Sequence, residues 1–146
     1  MRHEFWTSSA IGLALLALSF VGSPALAETM KFKADLNAAS ETPPTDSKGT
    51  GAAKITYDTT SKLLTWSVTF KDLSADPTAA HFHGPADVGA KAGPVVPIPG
   101  TASPMDGTAT LTDAQAAELM AGKWYVNVHT AVNPDGEIRG QVMKGE

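Results

Sequence analysis

The chain has 146 residues, a formal net charge of −4 and no cysteine. A mildly acidic chain without a basic cluster is a poor candidate for binding nucleic acid, because nothing neutralises the phosphates. The lack of cysteine excludes disulfides, cysteine nucleophiles, thiolate metal sites and iron–sulfur clusters. Any metal must therefore be held by His, carboxylate, Met or backbone groups.

The N-terminal segment has the three parts of a secretory signal peptide. Arg2 gives a positive start, Ala10 to Val21 form an apolar run, and Ala25-Leu26-Ala27 is a small-residue cleavage site. The apolar run is shorter than the roughly 20 residues that a membrane span needs, which argues against the alternative of an anchor. We predict cleavage after Ala27, so that residues 1–27 are a signal peptide and residues 28–146 form one periplasmic or secreted domain.

The rest of the chain alternates between short apolar-patterned runs and clusters of Gly, Pro, Asp and Ser, a rhythm typical of β-sandwiches and barrels. The clearest strand lies at 62–70, where Leu64, Trp66, Val68 and Phe70 alternate with polar residues. The other predicted strands cover residues 29–36, 52–57, 78–83, 107–111, 123–129 and 137–143, with an edge strand around Val95-Val96. These patterns predict an all-β fold, a Greek-key β-sandwich or barrel.

One short crossover helix is predicted over residues 113–120. Thr112 and Gln115 have the spacing of a capping box, and Gly122 follows the Ala-rich run as a stop. Between the last two strands, the run from Asn133 to Gly136 is a strong turn signal, so these strands are expected to form a hairpin.

The predicted mature chain contains three histidines, and all of them are expected on the face of the sheet opposite the core. Successive side chains of a strand point to opposite faces. His81 and His83 therefore share the face opposite Phe82, and His129 lies opposite the apolar set around Val128. If the last hairpin is centred near Pro134, Arg139 falls roughly opposite His129 on the same outward face.

Two histidines at i and i+2 with a third on a neighbouring strand have the arrangement of a metal site. Neutral imidazoles without thiolates suit copper, zinc, iron or nickel, and Cu(II) gains the most in that series. Three ligands leave a coordination position open for water or substrate, as in a reactive rather than a structural metal site. The alternative is that His81, His83 and His129 are ordinary solvated side chains.

Three further residues are expected to assist such a site. Arg139 is interpreted as a guide for a small anion, because a fixed positive charge raises the encounter rate of anions. Glu137 is expected either to pair with Arg139 or to support a histidine, and Asn127 shares the histidine face. The alternative for Arg139 is a solvated or locally paired surface arginine.

The motifs resemble the CHRD domain, named after chordin. The resemblance rests on Ala80-His81-Phe82-His83-Gly84-Pro85-Ala86, on the run from Trp124 to Thr130, on Asn133-Pro134-Asp135-Gly136-Glu137-Ile138-Arg139-Gly140-Gln141, and on an early Ala-Ala-Ser-Glu-Thr-Pro-Pro. It covers nearly all of residues 29–143. In chordin these domains belong to an extracellular growth-factor antagonist, and bacterial single-domain forms are exported, so the resemblance implies export without specifying a reaction.

The site arrangement is also similar to that of copper–zinc superoxide dismutases, which are Greek-key β-sandwich proteins. Those enzymes hold copper partly through a His-x-His pair and a late histidine, with an arginine near the C-terminus that steers superoxide. His81, His83, His129 and Arg139 fall in that order. The bridging histidine, the remaining zinc ligands and the disulfide are missing, so this similarity implies one copper ion and no zinc, with Arg139 as the catalytic arginine.

Three hypotheses follow for the function. The first is an exported copper-dependent oxidoreductase that dismutes superoxide at His81, His83 and His129. The second is a periplasmic copper carrier or buffer that uses the same histidines without turnover and does not need Arg139. The third is a protein-interaction module in which the histidines are part of a binding surface and take up no metal.

Overall fold

The computed structural model describes residues 26–145. The strands are β1 (Thr29–Asn37), β2 (Thr50–Asp58), β3 (Leu63–Lys71), β4 (Pro77–His83), β5 (Pro94–Pro97), β6 (Met105–Thr110), β7 (Tyr125–Thr130), β8 (Ile138–Gln141) and β9 (Met143–Lys144). A short 3-10 helix covers Ala38–Ser40, and the helix α1 covers Asp113–Met120. The predicted signal peptide lies almost wholly outside the described residues and stays a prediction.

All nine strands belong to one antiparallel sheet in the order β5-β4-β7-β8-β1-β2-β3-β6, with the short β9 paired to β1. The sheet curls into a nearly closed barrel. Trp66 on β3 and Phe82 on β4 make an edge-to-face contact with ring centroids 5.3 Å apart, although four strands separate β3 from β4 in the sheet order. The prediction of an all-β barrel or sandwich is therefore confirmed.

Period-2 alternation produces the core, as the strand at β3 illustrates. Leu64, Trp66 and Val68 are buried inside the barrel while Thr65 and Thr69 are exposed. Burying a large apolar side chain stabilises the folded state by roughly 1.5–3 kcal/mol. The alternation of apolar and polar residues in this strand therefore decides which face turns inward. The edge strand predicted at Val95-Val96 is present as β5, which pairs with β4.

The crossover helix is also confirmed. α1 begins at a complete capping box, in which the Thr112 side chain accepts from the Gln115 amide and the Gln115 side chain accepts from the Thr112 amide. Ala116 and Leu119 bury its inner face in the core. The helix connects β6 to β7, and it therefore delivers the chain to the strand that carries His129. Among residues 26–145, no helix is long and apolar enough to cross a membrane.

Two connections fold back over the outer face of β4, β7 and β8. One comprises residues 38–49 and the other residues 84–93. They meet where the Thr42 hydroxyl donates to the Gly89 carbonyl, and Arg139 Nη1 lies 3.4 Å from the Thr42 hydroxyl oxygen. This face is opposite the core, as predicted, but much of it is not in contact with solvent, because the two loops form a second polar layer over the strands. Asn127, Glu137 and Arg139 are each no more than 3% exposed.

Candidate metal centre

The three predicted histidines come together on neighbouring strands. β4 and β7 pair directly, with Ala79 opposite His129 and His81 opposite Asn127. One nitrogen from each of His81, His83 and His129 lies within 4.8 Å of the other two. The adjacency of the two histidine strands, which sequence periodicity cannot supply, is thus a property of the fold. His83 is buried, whereas His81 and His129 are half-buried and mark the accessible side of the centre.

The rings are held apart in orientations that suit coordination. The planes of His81 and His83 are perpendicular, with centroids 5.5 Å apart, and those of His81 and His129 meet at 74° with centroids 5.3 Å apart. His81 Nδ1 and His129 Nε2 are separated by 3.4 Å. Two nitrogens about 2.0–2.1 Å from one ion reach this separation at an angle of roughly 110°, so this pair already fits a first-row metal.

Two backbone carbonyls determine which ring nitrogens face the centre. His83 Nδ1 donates to the Ala92 carbonyl and His129 Nδ1 donates to the Pro134 carbonyl, each at 2.9 Å. With Nδ1 protonated, the neutral ring keeps a free electron pair on Nε2. His83 Nε2 is buried and has no hydrogen-bond partner. A buried nitrogen that has no hydrogen-bond partner and lies near two other imidazoles is suited to bind a metal ion.

Burial favours the neutral form of His81 and His83 at physiological pH. Burial lowers the pKa of His81 below 6.5, and the neighbouring His129 and His83 lower it further. Burial also lowers the pKa of His83, against a smaller opposite effect of its hydrogen bond to Ala92. The neutral imidazole is the form that binds metal, so the donor set is available without a preceding deprotonation.

Arg139 lies beside the centre, but its position in the hairpin differs from the predicted one. It pairs with Asn127 rather than with His129. The turn explains the shift, because the Asn133 carbonyl accepts from both the Thr130 and Gly136 amides and so moves the centre of the hairpin. The alternative of a solvated surface arginine does not hold either, since Arg139 is 2% exposed.

The guanidinium of Arg139 packs on an aromatic ring. Its Cζ lies 3.5 Å from the centroid of Tyr125, and His83 stacks on the same ring at 4.8 Å between centroids and 5° between planes. β7 lies between β4 and β8, so the Tyr125 ring separates the imidazole from the guanidinium. The positive charge of Arg139 therefore acts on the centre across the ring.

Glu137 does not support the histidines or pair with Arg139. Its carboxylate is fully buried and accepts from Ser47, Ser74 and Thr130, at 2.5–2.7 Å from their hydroxyl oxygens, and from the Ser74 amide. Its oxygens are thereby occupied by two distant segments, around Ser47 and Ser74, and by Thr130 at the end of the neighbouring strand β7. Glu137 is a structural carboxylate that ties the loop before β2 and the loop before β4 to the start of β8.

Three participants were missed by the sequence analysis. The carbonyls of Ala92 and Pro134 carry no residue-type signal, because every residue has a carbonyl. Glu41, 7% exposed, lies against Gly136 and Asn127. The only sequence feature that could have pointed to Glu41 was its position in the Ala-Ala-Ser-Glu-Thr-Pro-Pro segment, on which the family resemblance partly rests.

Comparison with known proteins identifies the family. The family model of the CHRD domain matches residues 32–142, which includes all three histidines and Arg139. No curated protein and no solved structure gives a significant match. The matched range covers well over half of the sequence, from β1 to the residue after β8. The chain therefore belongs to the CHRD domain family.

Proposed function

We propose that the protein is exported and binds one copper ion through His81, His83 and His129. The observation that carries this proposal is the convergence of three imidazoles, two of which are oriented by backbone carbonyls so that Nε2 faces the shared space. The apolar run and the Ala25-Leu26-Ala27 site support export.

Copper is favoured over the other imidazole metals by the composition of the site. Among residues 26–145 the grouped ligands are histidines only, with no thiolate or carboxylate in the set. Such a neutral, nitrogen-only site follows the affinity order that peaks at Cu(II). It also accepts Cu(I), which tolerates low coordination numbers. A bound copper ion would supply one-electron redox chemistry at a position left open by three protein ligands.

We further propose superoxide as the substrate of that centre. His81 and His129 are half-buried and leave the approach to the centre accessible, while His83 and Tyr125 form its closed side. Arg139 contributes a fixed positive potential behind Tyr125, and a positive potential raises the local concentration of small anions. Superoxide is a compact diatomic anion, so it can reach the metal through this accessible side without a larger binding pocket.

A copper carrier without turnover is the second candidate. The burial of Arg139 behind Tyr125 favours it, because a guanidinium that does not reach the open side cannot bind the substrate anion directly. A carrier would need the histidines and their accessible side but not the charge at position 139.

Copper titration followed by superoxide decay tests these alternatives. We expect the purified protein to bind one equivalent of Cu(II) and the loaded protein to accelerate superoxide decay, with Arg139→Gln retaining copper but losing most of the rate. Arg139→Lys, which keeps the charge, should retain more of it. Stoichiometric copper without acceleration identifies a carrier. No specific uptake of copper rejects both copper functions and leaves the interaction module.

Copper binding should depend on pH in a direction given by the histidines. Since burial lowers the pKa of His81 and of His83 below 6.5, protons compete with the metal only on the acid side of that value. We expect the Cu(II) affinity to be nearly constant between pH 8 and about 6.5 and to fall steeply below. Competition titrations at fixed ionic strength between pH 4.5 and 8 measure it. An affinity still rising between pH 7 and 8 would contradict the lowered pKa of His81 and His83.

A further inference from the structure

The amide of Asn127 lies next to the three histidines and is almost completely buried. Asn127 pairs with His81 across β4 and β7 and precedes His129 by two residues on the same face of β7. It is 3% exposed, and its Oδ1 has no hydrogen-bond partner. A buried amide oxygen without a hydrogen bond destabilises the fold, so a partner is expected in the functional protein.

The two ends of this amide have different surroundings. Its Nδ2 lies near Gly136 and the Glu41 carboxylate, since a methyl group added to Gly136 would overlap Glu41 Oε1 and approach Asn127 Nδ2 to 2.8 Å. Gly136 has φ +126°, so glycine is required there for conformation as well as for space. Glu41 Oε1 is itself buried without a hydrogen-bond partner, so the nitrogen lies on the Glu41 side without a formed hydrogen bond to that atom, and the oxygen is left for the histidine side.

The histidine side offers Asn127 no proton. His83 donates through Nδ1 to Ala92, which leaves Nε2 as an acceptor, and that atom is also buried without a partner. Asn127 Oδ1 is likewise an acceptor. The side chains of Asn127 and His83 are in contact. Two buried acceptors in contact repel unless a group that takes electron pairs lies between them. A metal ion is such a group, and it satisfies both atoms at once.

We propose that Asn127 supplies an oxygen donor to the metal centre and that Glu41 is a positioning residue that holds the Asn127 amide in this orientation. This inference rests on the proposed metal site and adds a fourth protein donor to it. Burial raises the pKa of Glu41, and Arg139, opposite Asn127 in the sheet, opposes this effect by attracting the Glu41 carboxylate from β8.

An oxygen donor from Asn127 should make the site prefer one oxidation state of copper. An amide oxygen is a hard donor that stabilises Cu(II) more than the softer Cu(I). Asn127→Leu, which removes both polar atoms at similar volume, should weaken Cu(II) binding by about 10–100-fold, the range seen for auxiliary groups of metal sites, and Cu(I) binding much less. Each tenfold difference between the two losses raises the reduction potential of the bound ion by about 59 mV.

The test compares Cu(II) and Cu(I) affinities, together with the EPR spectrum of bound Cu(II), in five variants. Asn127→Leu and Glu41→Ala are expected to lower the Cu(II)/Cu(I) affinity ratio and to change the EPR parameters. Asn127→Asp and Glu41→Gln, which keep an oxygen donor and an acceptor for Nδ2 respectively, should retain a ratio close to wild type or favour Cu(II). Thr78→Ala, at an exposed site on β4, should match the wild-type protein.

The outcomes separate this inference from the metal site itself. Wild-type protein that binds no copper overturns the proposed function. Wild-type copper binding with Cu(II) and Cu(I) affinities that fall equally in Asn127→Leu shows a purely structural residue and overturns the inference alone. An unchanged EPR spectrum in that variant does the same. Melting curves of the metal-free variants show that each is folded.

Discussion

Replacing His129 by alanine is expected to weaken Cu(II) binding by at least about 100-fold. The change removes a ligand rather than one of its supporting groups, whose loss already costs about 10–100-fold in affinity. The remaining pair, His81 and His83, belongs to one strand, so the variant also loses the link across β4 and β7. Isothermal titration or competition with a chelator of known affinity measures the effect.

The expected loss should not arise from unfolding. The side chain of His129 is half-buried. Among the described residues it contacts His81 and makes one other hydrogen bond, to the turn carbonyl of Pro134. Thr78→Ala serves as the control for substitution on the same part of the sheet, and it should bind copper like the wild-type protein. If His129→Ala bound copper with unchanged affinity, the three-histidine centre would be rejected.

Replacing Glu137 by glutamine is expected to lower the free energy of unfolding by about 3 kcal/mol at pH 7. Burial tends to raise the pKa of this carboxyl, but hydrogen bonds from Ser47, Thr130 and Ser74 outweigh it and lower the pKa from 4.5 to about 2. A pKa that is lower in the folded than in the unfolded state stabilises the fold above pH 4.5, and this contribution disappears as the pH falls toward 2.

The pH dependence distinguishes charge from packing. Urea unfolding at pH 7 and at pH 3 should show that the difference between wild type and Glu137→Gln shrinks in acid, because at pH 3 the carboxyl is protonated in the unfolded chain and begins to be protonated in the fold. Glu28→Gln, at an exposed position, should change stability by less than about 0.5 kcal/mol at either pH. A loss in Glu137→Gln that is the same at both pH values would mean that the carboxylate charge contributes nothing.

Local patterns of the sequence were sufficient for the elements and for the side of the sheet on which the histidines lie. Alternation at β3, the Thr112 and Gln115 capping box and the Asn133–Gly136 turn each depend on residues a few positions apart. The same period of two places His81 and His83 on one face, since strand geometry leaves no other choice. These signals are local, so they can be recognised without knowledge of any tertiary contact.

Only the tertiary structure decided what covers that face. Loops 38–49 and 84–93 come from distant parts of the sheet and bury Asn127, Arg139 and Glu137, which alternation alone would leave in water. The hairpin register depends on hydrogen bonds inside the turn, so Arg139 lies opposite Asn127 rather than His129.

The partners of the functional groups likewise come from far along the chain or from the backbone. Ser47 and Ser74 reach Glu137 from positions 90 and 63 residues away, and the Ala92 and Pro134 carbonyls orient two histidines. Sequence by itself determined an all-β chain with three histidines on one face. The closing of the barrel and the folding of two loops over it decided that two imidazoles stay half-exposed, one is buried and the arginine is enclosed, because burial depends on which distant segments meet.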